Sequence, residues 1–227
     1  MFGVSTSRGI VLSEYRVSTA VLNKRIKVKV CGMTRPEEAC AAIDLGVDAI
    51  GMILYAKSPR LIGLKAAQAI RQEVPAFISL VGVFVDADAS FINHYISEVG
   101  LDLVQLHGAE SNQFGCALEA PFIKAIRAKS RQQVELDTTL FPDAMALLVD
   151  PYVEGQHGGT GQILKPALWP TSVSQKLILA GGLSSQNIAK ACELTSPFAV
   201  DLNSGVESEP GRKESSKIAA VLCALGR

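Results

Sequence analysis

Eight apolar runs rich in β-branched residues constrain the fold of this chain more than any other feature of its sequence. The first six cover residues 26–30, 48–54, 79–85, 103–106, 122–126 and 145–149, and the stretches 177–183 and 199–207 begin with the last two. None alternates strictly between apolar and polar residues, which is typical of parallel strands buried on both faces.

Helical stretches separate these runs. They cover residues 64–73, 89–99, 110–118, 185–193 and 214–225, and an earlier helix begins with Arg35-Pro36-Glu37-Glu38 after a capping Thr34. Because strand and helix alternate without a linker, we predict an α/β protein in which residues 26–227 form a single-domain (β/α)₈ TIM barrel. A doubly wound open sheet is the alternative. It requires a glycine fingerprint after the first strand, and Cys31-Gly32-Met33-Thr34 is not one.

The charge balance and the cysteines exclude several classes of protein. The 227 residues include 22 basic and 22 acidic side chains, so neither nucleic acid nor an anionic membrane is indicated as a partner. No apolar run reaches the roughly 18 residues that a membrane-spanning helix needs. Five cysteines without close pairs indicate neither a disulfide framework nor a metal site. We therefore expect a reduced, cytoplasmic enzyme, either a monomer or a homodimer.

Residues 1–25 differ from the rest of the chain. They contain Ser, Thr and Arg, a single acidic residue, Glu14, and no hydrophobic period. We expect a disordered N-terminal leader. A transit peptide and a short helix or strand packed on the barrel are the alternatives.

The last two strands each run into glycine and small polar residues before a helix. Gly181-Gly182 follows the seventh strand, and Asn203-Ser204-Gly205 follows the eighth. Glycine lets the backbone approach a ligand closely, and the loops after strands 7 and 8 of such barrels often bind phosphate. A Gly-Gly pair alone also serves tight turns for steric reasons, so the pair of loops carries the prediction of an anion site.

Polar side chains follow most of the predicted strands, at the end of a barrel where active sites lie. They are Cys31, Lys57, Arg60, Asp86, Gln105, His107, Asp150 and Asp201. Each has a simpler interpretation: a lone Cys is usually a small buried hydrophobe, and Asp86 is better explained as a turn or helix-cap residue. Their convergence on one rim indicates a site.

Several of these segments resemble the phosphoribosylanthranilate isomerase family. The resemblance covers nearly all of the chain from residue 26, in family order. The matching motifs are Lys29-Val30-Cys31-Gly32-Met33-Thr34, Tyr55-Ala56-Lys57-Ser58-Pro59-Arg60, Val81-Gly82-Val83-Phe84-Val85, Val104-Gln105-Leu106-His107-Gly108, Leu148-Val149-Asp150, Gly158-Gly159-Thr160-Gly161 and Asp201-Leu202-Asn203-Ser204-Gly205-Val206-Glu207.

The resemblance implies a function and a role for each site residue. It implies an Amadori rearrangement of N-(5-phosphoribosyl)anthranilate in tryptophan biosynthesis, with no metal or organic cofactor. Cys31 resembles the general base, Asp150 the general acid, and Arg60 the group that binds the anthranilate carboxylate. The other substrate-binding positions that it implies are Gln105, His107, Gly181, Gly182, Asp201, Asn203, Ser204 and Gly205.

The chemistry needs an acid to open the ribose ring and a base to remove the proton from the neighbouring carbon. With reference pKa values, about 3% of a Cys is thiolate at pH 7 and about 0.1% of an Asp is neutral. If the two groups ionise independently, the need for both minor forms at once raises the activation free energy by roughly 6 kcal/mol. We therefore expect the site to raise the pKa of Asp150, to lower that of Cys31, or both.

Two other functions are consistent with a phosphate-binding barrel. An aldolase-type or synthase-type enzyme commonly needs a catalytic lysine on an inner strand, and Lys29 and Lys124 are the candidates, although Lys124 has no evident partner in the sequence. A non-catalytic phosphosugar-binding protein is the other alternative, and the presence of both Cys31 and Asp150 argues against it.

Overall fold

Eight parallel strands pair in chain order, and the last pairs with the first to close a barrel. The computed structural model describes residues 25–151 and 163–227. The strands are β1 (Lys27–Val30), β2 (Ala49–Ile53), β3 (Ser79–Phe84), β4 (Leu103–Leu106), β5 (Phe122–Ala128), β6 (Ala146–Pro151), β7 (Leu177–Leu179) and β8 (Ala199–Leu202). The predicted TIM barrel is thus confirmed, and the open sheet is excluded. The leader at residues 1–25 falls outside the described residues except for Arg25, as does the motif at residues 158–161.

Helices surround the barrel. They are α1 (Pro36–Asp44), α2 (Leu64–Glu73), α3 (Ala89–Tyr95) with a π-helical turn (Ile96–Gly100), α4 (Asn112–Cys116), α5 (Arg131–Thr139), α6 (Ile188–Thr195) and α7 (Ser215–Ala224), with 3₁₀ turns at Pro166–Leu168 and Ser204–Val206. None of the helices in the described ranges is long and apolar enough to cross a membrane.

The apolar core has two parts because every strand has two buried faces. The larger part lies between strands and helices and includes Val28, Ile50 and Leu147, all fully buried. The smaller part fills the barrel with alternate residues of adjacent strands. Its members are Ile123, Ala125, Ala146, Leu148, Ile178, Ala180 and Ala199. Side chains of a strand alternate between faces, so this set identifies which residues point into the barrel.

At two of the helix starts that differ from the sequence prediction, a side chain does not have its predicted place in the helix. Thr34 does not cap α1: the N-cap is Arg35, without a side-chain bond, and the Thr34 hydroxyl donates instead to the Gly211 carbonyl at 2.7 Å. Helix α4 begins at Asn112 after a capping Ser111 rather than at Glu110, whose carboxylate is buried elsewhere. Both side chains are diverted by long-range contacts.

A short hairpin after β8 was not predicted. Strands β9 (Glu207–Glu209) and β10 (Arg212–Lys213) pair antiparallel across a turn at Gly211, where φ is +83°. The hairpin brings Glu207 and Lys213 to the C-terminal end of the barrel, where both are buried.

Asp48 ties the opposite end of the barrel together. One of its carboxylate oxygens accepts from Lys27 Nζ at 3.0 Å, and the other accepts from the Val28 amide and from Arg227 Nη1, each at 2.9 Å. The start of β1 and the last residue of the chain therefore share one anion.

Candidate active site

Strand periodicity brings the predicted polar residues into the mouth of the barrel. Leu148 and Ala199 point inward, so Asp150 and Asp201, two residues further on, share the same faces. Leu103 packs against the inner cluster, so Gln105 and His107 follow it on the inner face of β4 and beyond. Lys29 is the register partner of Asp201 and projects into the same space.

Cys31 is buried immediately after β1, next to a buried ion pair. Its thiol interacts with the Lys29 ammonium, and Lys29 Nζ lies 2.9 Å from Asp201 Oδ1. Burial raises the pKa of the Cys31 thiol, and the nearby Asp201 carboxylate adds to that effect, whereas Lys29 and Lys213 partly oppose it. From the sequence we expect a raised pKa of Asp150, a lowered pKa of Cys31, or both; the direction at Cys31 is upward, because loss of hydration outweighs the two cations.

Gln105, His107 and Asp150 form a second group. The Gln105 amide nitrogen lies 3.0 Å from His107 Nδ1, and His107 Nε2 lies 3.6 Å from Asp150 Oδ2. With the Gln105 amide nitrogen facing it, Nδ1 accepts, so a proton lies on Nε2, the ring nitrogen on the side of Asp150. Among the described residues, Gln105 Oε1 and His107 Nε2 are the buried side-chain atoms without a hydrogen-bond partner. Such atoms are available to a bound substrate.

Arg60 is buried and bound to an acidic residue that the sequence interpretation gave no role. Its Nε and Nη2 donate to the two oxygens of Glu207 at 2.8 and 2.7 Å, and Lys213 Nζ lies 2.6 Å from Glu207 Oε1. Lys213 Nζ also donates to Asn203 Oδ1 at 2.9 Å. The hydrogen bonds to Glu207 raise the pKa of Arg60 further, so the guanidinium is a permanent cation. Two of its five N–H groups are used by Glu207, and no acceptor among the described residues bonds to Nη1, so that edge can bind a carboxylate.

Gly32 provides the room for this group. Its φ is +77°, and a Cβ there would lie 2.8 Å from Arg60 Cδ and 3.0 Å from Asn203 Oδ1. Any side chain at position 32 would therefore separate the residues after β1, β2 and β8.

The glycine loops after β7 and β8 pack directly on each other. Gly181 and Gly182 have φ of +93° and +54°, and Asn187 bridges their turn by donating to the Gly182 carbonyl at 2.8 Å. A Cβ at Gly205 would overlap the Leu183 carbonyl oxygen. Gly205 is therefore required by the contact between the two loops, whatever ligand they bind.

The structure places the remaining candidates away from these groups. Lys57 is exposed, and Asp86 is a turn residue with φ of +49° whose carboxylate accepts from the Ala109 amide. Lys124 lies on the outer face of β5 and does have a partner, since its Nζ is 2.8 Å from Glu110 Oε2. It is therefore not an inward-facing lysine. Glu207 and Lys213 had no role in the sequence analysis, and Lys29 was considered there only as a catalytic lysine of the alternative enzyme class. Lys29 and Glu207 lie within the matching motifs, whereas Lys213 had no local signal.

Comparison with known proteins identifies a family. The model of the family described as N-(5'phosphoribosyl)anthranilate (PRA) isomerase matches residues 28–224. An N-(5'-phosphoribosyl)anthranilate isomerase of Legionella pneumophila (strain Corby) is 42% identical over 201 residues, which cover 88% of this chain and 97% of the relative.

Solved structures agree with this comparison. The crystal structure of phosphoribosyl anthranilate isomerase from Thermus thermophilus matches with a TM-score of 0.81 and 34% identity, covering 88% of this chain and 98% of that one. A phosphoribosyl anthranilate isomerase in complex with reduced 1-(o-carboxyphenylamino)-1-deoxyribulose 5-phosphate matches with a TM-score of 0.75 and 30% identity, with the same coverage.

Proposed function

Because the chain belongs to the phosphoribosylanthranilate isomerase family, we propose that it converts N-(5-phosphoribosyl)anthranilate to 1-(2-carboxyphenylamino)-1-deoxyribulose 5-phosphate, with Asp150 as the acid and Cys31 as the base. The observation that carries the assignment is that both side chains follow inward-facing positions at the same end of one barrel, on β6 and β1. Strands β7 and β8 lie between them, so the two groups approach the substrate from different sides.

The reaction needs two proton movements. Asp150 protonates the ribose ring oxygen, the bond from that oxygen to the anomeric carbon breaks, and the nitrogen lone pair forms the C=N bond of a protonated imine, whose C=N electron pair returns to nitrogen in the next step. The Cys31 thiolate then removes the proton from the neighbouring carbon, and the electron pair of that C–H bond forms the double bond of an enolamine. Tautomerisation of the enolamine gives the ketone.

Binding groups at the two ends of the substrate hold it between acid and base. The Nη1 edge of Arg60 faces the anthranilate carboxylate, and the loops containing Gly182, Ser204 and Gly205 bind the phosphate. Fixing both ends restricts the sugar to the orientation in which each proton transfer is short. This is supported by Arg60 Nη1, which bonds to no acceptor in residues 25–151 and 163–227, while Glu207 binds Nε and Nη2.

His107 orients the acid in this proposal. Gln105 fixes the ring so that its Nε2–H is directed toward Asp150, 3.6 Å away. Once Asp150 has given up its proton, the same N–H stabilises the carboxylate that results.

The Schiff-base alternative is weakened. Lys29 is the described strand lysine that projects into the barrel at the site, and its ammonium is held by Asp201 at 2.9 Å. A lysine held as a cation is a poor amine nucleophile.

The test is turnover by the purified protein with a chelator present, followed as the loss of the fluorescent anthranilate adduct. Cys31→Ser should reduce kcat by at least a hundredfold with little change in thermal stability, because a hydroxyl is a far weaker base. Asp150→Asn should do likewise, because an amide keeps the shape and cannot deliver the proton. Turnover within a few-fold of the parent in either variant would contradict that residue's role.

The setting of the enzyme is also a proposal. All five cysteines are unpaired, which supports a reducing, cytoplasmic location. We expect a monomer or a homodimer that needs no metal or organic cofactor and binds no nucleic acid.

A further inference from the structure

Lys29 is a buried cation that the proposed reaction does not use. Its side chain is 5% exposed, that of Asp201 is 9% exposed, and the two form an ion pair of 2.9 Å in the interior of the barrel. Such a pair is costly to bury and is weak support for stability by itself. Its position beside Cys31 suggests what it does.

Gly51 on β2 opens the space in which Lys29 and Cys31 meet. A Cβ at position 51 would lie 2.9 Å from Cys31 Sγ and 3.0 Å from Lys29 Cε. Ordinary side-chain contacts are longer, so both side chains occupy the volume that any other residue at position 51 would fill. The thiol is thus enclosed on one side by the Lys29 stem and the β2 backbone.

We propose, on the basis of the proposed function, that Lys29 is a positioning residue for the base: its ammonium, held by Asp201, keeps the Cys31 thiolate in place to take the proton from the substrate carbon. The thiolate sulfur receives the proton, the C–H electron pair enters the enolamine double bond, and Lys29 keeps its three protons throughout. Asp201 fixes the direction of the ammonium and does not itself exchange a proton.

The charged groups around Cys31 come from several elements. Lys29 lies on β1, Asp201 on β8, Lys213 on β10, and Arg60 in the loop after β2. Burial alone would lower the pKa of Lys29, but Asp201 and Cys31 outweigh it and raise that pKa above its usual range. Asp201 therefore favours the charged form of Lys29. Removing it would leave the Asp201 carboxylate next to the sulfur without a counter-charge.

The first experiment titrates Cys31 in the resting protein, without substrate. Peptide mass spectrometry measures the rate at which iodoacetamide alkylates Cys31. The rate is followed against pH in the parent, in Lys29→Met and in Lys29→Arg. We expect the pH at which the alkylation rate is half-maximal, the midpoint, to rise by roughly one pH unit or more in Lys29→Met. It should rise by less than half as much in Lys29→Arg, which retains the charge. A midpoint in Lys29→Met equal to that of the parent would overturn the proposal.

The chain offers a matched control and a second variant. Lys124→Met also removes a buried strand lysine paired with a carboxylate, but on the outer face of β5, so it should leave the Cys31 midpoint unchanged. Should Lys29→Met not fold, Lys29→Met combined with Asp201→Asn removes both charges. Its midpoint must still lie above that of Asp201→Asn alone, and equality of the two would refute the role of Lys29.

A second readout separates this proposal from the assignment of the base. In Lys29→Met the acidic limb of the pH profile of kcat/KM should move upward by the same interval as the thiolate midpoint. If the Cys31 alkylation midpoint moves in Lys29→Met and the pH profile of kcat/KM does not, the positioning role is overturned. Full turnover in Cys31→Ser would instead contradict the assignment of Cys31 as the base. The alkylation experiment on Cys31 needs no turnover, so its result would still stand.

Discussion

Replacing Glu207 by Gln tests the network that holds Arg60. The carboxylate accepts four hydrogen bonds, at 2.8 and 2.7 Å from Arg60, 2.6 Å from Lys213 and 3.1 Å from the Gly211 amide. An amide has one acceptor oxygen, so its NH₂ group would face a donor, and two buried cations would lose their counter-charge. Breaking a buried ion pair from one side costs about 3–5 kcal/mol in the free energy of unfolding.

The assay is urea unfolding near neutral pH, followed by circular dichroism. With a slope of about 3 kcal/mol/M, the midpoint should fall by roughly 1–2 M. Glu193→Gln is the matched control, because Glu193 pairs with Lys190 on the surface, with both side chains about two-thirds exposed. It should change stability by less than about 1 kcal/mol. A Glu207→Gln midpoint indistinguishable from that of the control would refute the reasoning.

The same variant has a pH signature. Burial alone would raise the pKa of Glu207, but Arg60 and Lys213 hold it below its ordinary value. A depressed folded-state pKa stabilises the fold above the unfolded pKa of about 4.3, and that stability is lost as the pH falls through the folded value. The stability difference between parent and Glu207→Gln should therefore be full near neutral pH and should shrink below about pH 4.

Three further predictions concern other parts of the chain. Gly205→Ala should lower the free energy of unfolding by about 1–3 kcal/mol, because its Cβ overlaps the Leu183 carbonyl. Gly63→Ala is the control and should change it by less, because a Cβ at position 63 meets nothing within 4 Å. Equal melting temperatures of the two variants in thermal melts would contradict this. Burial raises the pKa of Cys192 to about 11, so mass spectrometry should find its alkylation near pH 8 on the order of 100-fold slower than that of the exposed Cys223. Deleting residues 1–24 should leave the melting temperature and activity nearly unchanged if the leader is disordered, and a large loss would favour a packed segment.

The barrel and its rim were predictable because their signals are local. Each strand is a contiguous apolar run, Cys31 and His107 directly follow strands, and Asp150 lies near the end of β6, so the topology alone brings them to one end. The glycine loops were also visible, but the reason for Gly205 was not. The sequence indicates a ligand site there, and the structure adds a second reason for glycine, which is contact with the neighbouring loop.

The missed features depend on residues that are far apart in the chain. Arg60 and Glu207 are separated by 147 positions, so no local pattern indicates that one edge of the guanidinium is already occupied. Glu110 looked like a helix start, yet it accepts from the Asp86 and Gly108 amides and from Lys124, and this shortens α4. Thr34 was diverted from capping in the same way. Propensity was overruled by tertiary contacts in each case.

The surroundings of Cys31, the proposed base, are complete only when β1 pairs with β8 and the barrel closes. Lys29 and Asp201 are 172 positions apart, and closing a loop of that length costs about 5 kcal/mol in chain entropy before any contact forms. Cys31 and Lys29 lie on the same strand, but the Asp201 carboxylate that holds the ammonium joins them only when β8 pairs with β1. A chain in which β8 has not yet docked therefore contains the thiol and the ammonium without the carboxylate. Recovery of activity during refolding would accordingly report when the barrel closes, while circular dichroism would report the formation of helices and strands.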